Sequence, residues 1–129
     1  MNLAPLLQST PQSLSELQVI QFNCNHVNHK SERAFFEALN PKAHHIIAIQ
    51  EPHISTSNQS TFCPVGYTPI LLNQEQTRVA TFVSKEIEPS SWWTLPPTTN
   101  LSCIILTTKD TTLAIINAYN PGWQGDPAT

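Results

Sequence analysis

The densest apolar stretch in the chain is "IIAI", residues 46–49, with no polar position to mark an exposed face. Uninterrupted apolar residues of that length fit an interior strand covered on both sides, so residues 44–50, "HHIIAIQ", are read as such a strand. Upstream, "LQVIQF" at residues 17–22 alternates loosely between apolar residues and Gln and runs into the Asn-rich "NCNHVNH", which predicts a strand followed by a loop. Between the two lies "SERAFFEALN", where Ala34, Phe35, Ala38 and Leu39 share one face at helical spacing. Ser31 is placed as the N-cap, Glu32 falls in the first turn, and Asn40-Pro41 stops the helix. Strand, helix and strand within about 35 residues has the length of a βαβ unit, with the pairing direction left open.

Past residue 51 the pattern changes to short strands: "YTPILL" (67–72), "RVATFVS" (78–84), "LSCIILTT" (101–108) and "TLAIINAY" (112–119). "TTKDTT" (107–112) suits a hairpin connection, and the Pro-rich "KEIEPSSWWTLPPTTN" (85–100) is read as a long excursion without a strand. Residues 1–16, with Pro5, Pro11 and scattered Ser, Thr and Gln, are expected to form a flexible leader. Residues 17–129 then make one mixed α/β domain, whose last segment, "NPGWQGDPAT", is a loop with nothing after it, an unusual close for a finished domain.

Composition narrows the classes. A chain of 129 residues with 40% hydrophobic content holds one core, not two. Only 12% of residues are charged, against roughly 25% in ordinary globular domains. The net charge of -3 supplies no basic footprint, so affinity for nucleic acid has to be local or metal-assisted. Lys30, Arg33, Arg78 and Lys85 are too dispersed to make a patch. No apolar run reaches the ~18 residues of a membrane span, and the N-terminus lacks the charged and apolar regions of a secretory signal; a soluble, intracellular protein is expected. Cys24, Cys63 and Cys103 are odd in number and widely spaced, which suits buried reduced thiols better than disulfides or a zinc site.

Candidate chemistry gathers at strand ends. Asn23, with Asn25, leaves the first strand; Gln50-Glu51 leaves the second; "NAYNP" (117–121) leaves the last. Each has a plain reading, respectively turn chemistry, a solvated carboxylate and a packed aromatic. Yet the first two share the carboxyl ends of strands in a βαβ unit, where open α/β sheets build ligand sites. His44-His45 has adjacent rather than same-face spacing, and His26, His29 and His53 match no zinc pattern.

Taken in order, "QFNCN", "AIQEPH", "VATFVS" and "IINAYNPG" resemble the endonuclease/exonuclease/phosphatase superfamily. They resemble most the endonuclease domain of LINE-type, non-LTR retrotransposons, with its "LQxN", "AIQEP", "VATxVS" and "IINxYNP" segments. The resemblance covers residues 17–122. It implies about the first half of a four-layer α/β sandwich, two sheets face to face with helices outside. It further implies that Asn23 helps to hold a phosphate and metal-bound water, with a lesser claim for Asn25, that Glu51 is a Mg²⁺ ligand, and that Tyr119 contacts the scissile phosphate of a DNA substrate.

In that family phosphodiester hydrolysis also needs an Asp to take the proton of water and a His at the phosphate, from downstream motifs resembling "GDFN" and "SDH". The sequence stops before them, and "GDP" at 125–127 lacks the Asn. The expectation is a truncated endonuclease-like domain of retrotransposon origin, inactive alone, with weak or absent Mg²⁺ binding and weak DNA binding. Two other readings stand beside it: a non-enzymatic module for nucleic-acid or protein contacts, and a small nuclease or phosphatase completing its site by oligomerisation. Ile104, Ile105, Leu106, Ile115 and Ile116 are expected to lose part of their cover, leaving marginal stability and self-association through an incomplete sheet.

Overall fold

A computed structural model describes residues 16–25, 29–107 and 110–121. The elements, in order, are β1 (Val19–Asn23), α1 (His29–Glu37), β2 (Ile46–Gln50), β3 (Tyr67–Ile70), β4 (Val79–Ser84), a 3-10 turn (Pro89–Ser91), β5 (Trp92–Thr94), β6 (Leu101–Thr107) and β7 (Thr112–Ala118). The leader predicted for residues 1–16, apart from Glu16, and the segment from residue 122 onward lie outside the described residues.

β1 and β2 pair in parallel, Val19 opposite Ile46 through Asn23 opposite Gln50, with α1 in the crossover, so the predicted βαβ unit is present. β4 pairs antiparallel with the other side of β2, and β3 closes the four-stranded sheet in the order β1-β2-β4-β3. A second sheet, β5-β6-β7, is antiparallel throughout. β2 is flanked on both edges and buried along its whole length, as its unbroken apolar run requires.

Two apolar cores follow from this layering. Between the sheets, Ile46, Ile70, Val83 and Ile87 meet Ile104 and Leu106, with Trp92, Leu113 and Ile115 at the margin. On the opposite face of the first sheet, Ile47, Ile49, Ala80 and Phe82 pack against Phe36, joined by Phe35, Leu39 and Phe62. The Phe36 ring meets Phe82 edge-on at 5.3 Å, and Phe35 stacks on Phe22 at 4.5 Å. The layers therefore run from α1 and its neighbouring loop, through the first sheet, to the second sheet.

Several expectations need correction. α1 begins at His29, so Ser31 lies inside the first turn and is not its N-cap. Its buried stripe is Glu32 and Phe36, one turn apart, while Ala34 and Ala38 are exposed. The Pro-rich excursion contains a strand, β5, because Trp92 to Thr94 find partners in Leu106 to Ile104 that no local pattern announces. Ile104 and Leu106 do not lose their cover: the first sheet buries them completely, and it is Ile116, on the outer face of β7, that is 62% exposed.

Two local devices hold the frame. Gly66 has φ +90 just before β3, and a Cβ there would meet Pro41 Cγ at 2.5 Å, so only glycine fits both the backbone and the space. His45 is buried, and its Nδ1 accepts from the Gln18 amide at 2.9 Å, which anchors the approach to β1; burial holds its pKa below the ordinary value. His44, one residue back, accepts from the Asn40 amide at 3.0 Å, so each imidazole of the pair holds a backbone amide. Among the described residues no helix is long and apolar enough to cross a membrane.

Candidate functional site

The parallel register of β1 and β2 brings both strands out at one edge. Asn23 sits opposite Gln50, and the Cys24 amide donates to the Gln50 carbonyl at 2.8 Å, carrying the ladder one step past the strands. Glu51 is the next residue. Its amide donates to the Arg78 carbonyl at 2.8 Å while its own φ is +51. A non-glycine residue in the left-handed region is uncommon, and a following proline ordinarily favours extended backbone there. The backbone thus turns sharply at Glu51 and re-aims its carboxylate.

β7 leaves the second sheet at the same edge. The Tyr119 amide donates to the Asn100 carbonyl at 2.9 Å, and its hydroxyl donates to Glu51 Oε1 at 3.0 Å. That hydrogen bond pushes the Tyr119 phenol above its ordinary pKa, with desolvation and the Glu51 charge acting in the same sense and Arg78 opposing. Arg78 is thereby placed near the pair. Its amide donates to the Thr99 carbonyl at 2.6 Å, and its guanidinium reaches the Glu75 and Thr77 carbonyls at 3.3 Å, so it is tethered loosely.

Asn23 is exposed, and its Oδ1 accepts from the Asn25 amide at 2.7 Å, with Asn25 at φ +53. This is the turn chemistry of the plain reading. With that oxygen engaged, what Asn23 can offer an incoming anion is its amide N–H.

The structure therefore joins Glu51 to Tyr119 directly and puts Asn23 beside the same edge. His53 contributes through its backbone, whose amide donates to Glu32 Oε2 at 2.6 Å. His26 and the side chain of His29 lie outside the described residues.

Three residues visible in the sequence have contacts at this edge that it did not announce. Glu32, 1% exposed, accepts from both the His53 amide and the Thr61 hydroxyl, so it fastens the loop that follows Glu51 onto α1. Its position one turn before Phe36 was the available signal. Arg78 looked isolated in sequence, yet it immediately precedes β4, which runs antiparallel to β2 and so begins where Glu51 sits. Asn117 is buried in the space between the sheets, not part of a strand-exit loop.

Among the described residues no group of three or more His, Cys, Asp or Glu side chains is placed to hold a metal ion. Mg²⁺ asks for less: it keeps several waters and is commonly held by one or two carboxylates together with substrate phosphate oxygens. Glu51, turned outward at a sheet edge, fits that minimal demand.

No protein-family model matches the chain, and no curated protein does. Among solved structures the chain is similar to the endonuclease domain of TRAS1, a telomere-specific non-LTR retrotransposon, with a TM-score of 0.53 and 19% sequence identity. The match covers 81% of this chain and 46% of that one, so the chain spans less than half of the structure it resembles. At this identity the likeness is one of fold: the chain, with its βαβ unit and two facing sheets, has the fold of part of a retrotransposon endonuclease domain.

Proposed function

We propose that the edge formed by Asn23, Glu51 and Tyr119 is a phosphodiester-binding site of endonuclease type, which holds a hydrated Mg²⁺ and a phosphate but does not turn over by itself. The observation that carries this reading is the Tyr119–Glu51 hydrogen bond at 3.0 Å, which gathers a hard anionic ligand and a phenol donor from two sheets at one edge. Glu51 would anchor the ion, and the ion would neutralise charge on the phosphate. Tyr119 and the Asn23 amide would donate to phosphate oxygens, and Arg78 would add a positive charge on the same side.

Hydrolysis also requires a base for the attacking water and an acid for the leaving oxygen. Asn23, Glu51 and Tyr119 are all occupied in holding, so neither of those roles falls to them. The retrotransposon origin and the DNA substrate belong to the same reading, supported by the fold likeness to the TRAS1 endonuclease domain.

The test uses a short DNA duplex with Mn²⁺ as a paramagnetic substitute for Mg²⁺. Broadening of the Glu51 and Tyr119 resonances should strengthen when the duplex is added, and Glu51→Ala should abolish it. Failure of Mn²⁺ to broaden either residue in the presence of duplex overturns the binding reading. Mg²⁺-dependent nicking of supercoiled plasmid by the wild type, lost in Glu51→Ala, overturns the claim that the site does not turn over.

A protein-interaction role is favoured by a different observation, the outer face of the second sheet. Trp93, Leu101 and Ile116 are exposed there, and the described positions of β5, β6 and β7 carry no charged residue. Self-association through this face is part of that second reading.

A further inference from the structure

The space between the two sheets is not uniform. Far from the Glu51 edge it is apolar, with Ile46 opposite Val83 and Leu106 opposite Leu113 in their ladders. Near that edge it is occupied by buried polar side chains: Gln50, Thr81, Ser102 and Asn117.

Their hydrogen bonds fix the orientation of the Asn117 amide. Asn117 Nδ2 lies 3.2 Å from the Ile49 carbonyl and 3.1 Å from the Ala80 carbonyl, groups that can only accept. The Asn117 amide must therefore present nitrogen to the first sheet, where Ile49 and Ala80 face each other across the β2–β4 ladder. Its Oδ1 is left to accept from Gln50 Nε2 at 2.6 Å. Gln50 Oε1 in turn accepts from the Gln21 amide of β1. Thr81 Oγ1, 3.0 Å from Asn117 Nδ2, accepts there and shares a hydrogen bond with Ser102 Oγ at 2.7 Å. Ser102 and Asn117 are themselves neighbours across the β6–β7 ladder.

We infer that Gln50 and Asn117 are positioning residues for the pair above them: this amide bridge sets the separation of β2 and β7 at the point where Glu51 and Tyr119 leave those strands. Gln50 immediately precedes Glu51, and Asn117 stands two residues before Tyr119. An apolar filling would hold the sheets together as well, since dispersion contacts tolerate sliding and fit many registers. Directional hydrogen bonds between fixed partners tolerate much less. The polar filling occurs at the end where a hydroxyl must meet a carboxylate across 3.0 Å, and the apolar one where nothing comparable depends on register.

The inference rests on reading Glu51 and Tyr119 as site residues, and its test is independent of metal and substrate. The Tyr119 hydroxyl donates to Glu51 Oε1, so the ring Cζ chemical shift of a labelled tyrosine, read at neutral pH in the metal-free protein, reports whether the two groups meet. Glu51→Ala is the reference, and it should move that signal to the position of a solvated tyrosine. Asn117→Ala, and Gln50→Met as a volume-conserving second variant, should produce most of the same change. Ile104→Val, a loss in the apolar part of the same core, should leave the signal where it is despite a lower melting temperature.

A folded Asn117→Ala or Gln50→Met protein in which the Tyr119 signal stays as in the wild type overturns the inference. If Glu51→Ala itself leaves the signal unmoved, the pair does not meet and the site reading fails with it. Loss of Mn²⁺ broadening with an intact response to Asn117→Ala fails the function and leaves the positioning role standing.

Discussion

The Tyr119 hydroxyl donates to Glu51 Oε1 at 3.0 Å, linking the exits of β7 and β2 across 68 residues of sequence. This contact raises the phenol's pKa, so the folded state binds that proton more tightly than the unfolded chain. Its contribution to stability is complete below about pH 10, the unfolded value, and is lost as pH rises through the higher folded value. Melting temperatures compared between about pH 9 and 12 should fall more steeply in the wild type than in Tyr119→Phe. Tyr67 and Cys24, each pushed up to about 12 mainly by burial, shape the same alkaline limb in both proteins, so the difference between the two curves isolates Tyr119.

Glu51 has φ +51, a conformation that costs an L-residue with a Cβ about 1–2 kcal/mol and glycine almost nothing. Glu51→Ala and Glu51→Gly both remove the carboxylate and the Tyr119 contact, but only glycine relieves the backbone. Urea denaturation should find Glu51→Gly more stable than Glu51→Ala by about 1 kcal/mol. Equal stabilities would mean that the left-handed turn at residue 51 is not strained.

Glu32 is buried in the face of α1 and accepts from the His53 amide and the Thr61 hydroxyl. Removing a buried acceptor leaves its donors unpaired, and the cost exceeds that of one ordinary hydrogen bond. Glu32→Ala should destabilise the fold by about 2–4 kcal/mol, and Glu32→Gln, which keeps one carbonyl oxygen, by about 1–2 kcal/mol. Hydrogen exchange should locate the effect: the His53 amide should lose protection in both variants, ahead of the amides of β4.

How much of this was legible follows from the range of the interactions. β2 could be read because burial on both faces leaves a continuous apolar signature in a local window. The start of α1 was misplaced because Ser31 is a good cap residue whose preference was outweighed; the helix continues back to His29. β5 was invisible because Trp92 to Thr94 lie between prolines and become a strand only by pairing with β6. Asn23, Glu51 and Tyr119 were singled out from the order of motifs, but that Tyr119 touches Glu51 was not legible there. Asn117 was noticed only as a polar neighbour of a tyrosine, since nothing in "NAYNP" says that its amide crosses to Ile49 and Ala80 on another sheet.

The outer face of the second sheet gives the last prediction. Trp93 lies opposite Ile105, Ile105 opposite Ala114, and Cys103 opposite Ile116, so apolar side chains from β5, β6 and β7 line up across the sheet. Trp93 is 50% exposed and Ile116 62% exposed. Among the described residues β7 is an edge strand without proline or charge, the features that ordinarily deter edge pairing. A second copy of the chain meets no repulsive charge on this face, and two such faces remove each other's apolar surface from water. Sedimentation should therefore show association that increases with concentration. Ile116→Lys places a charge on the edge-strand side of this face and should shift the population to monomer without lowering the melting temperature, because residue 116 packs against nothing in the core. A wild type that stays monomeric at concentrations of about 100 μM, well above the Kd of ordinary specific contacts, would leave this face without a role in self-association.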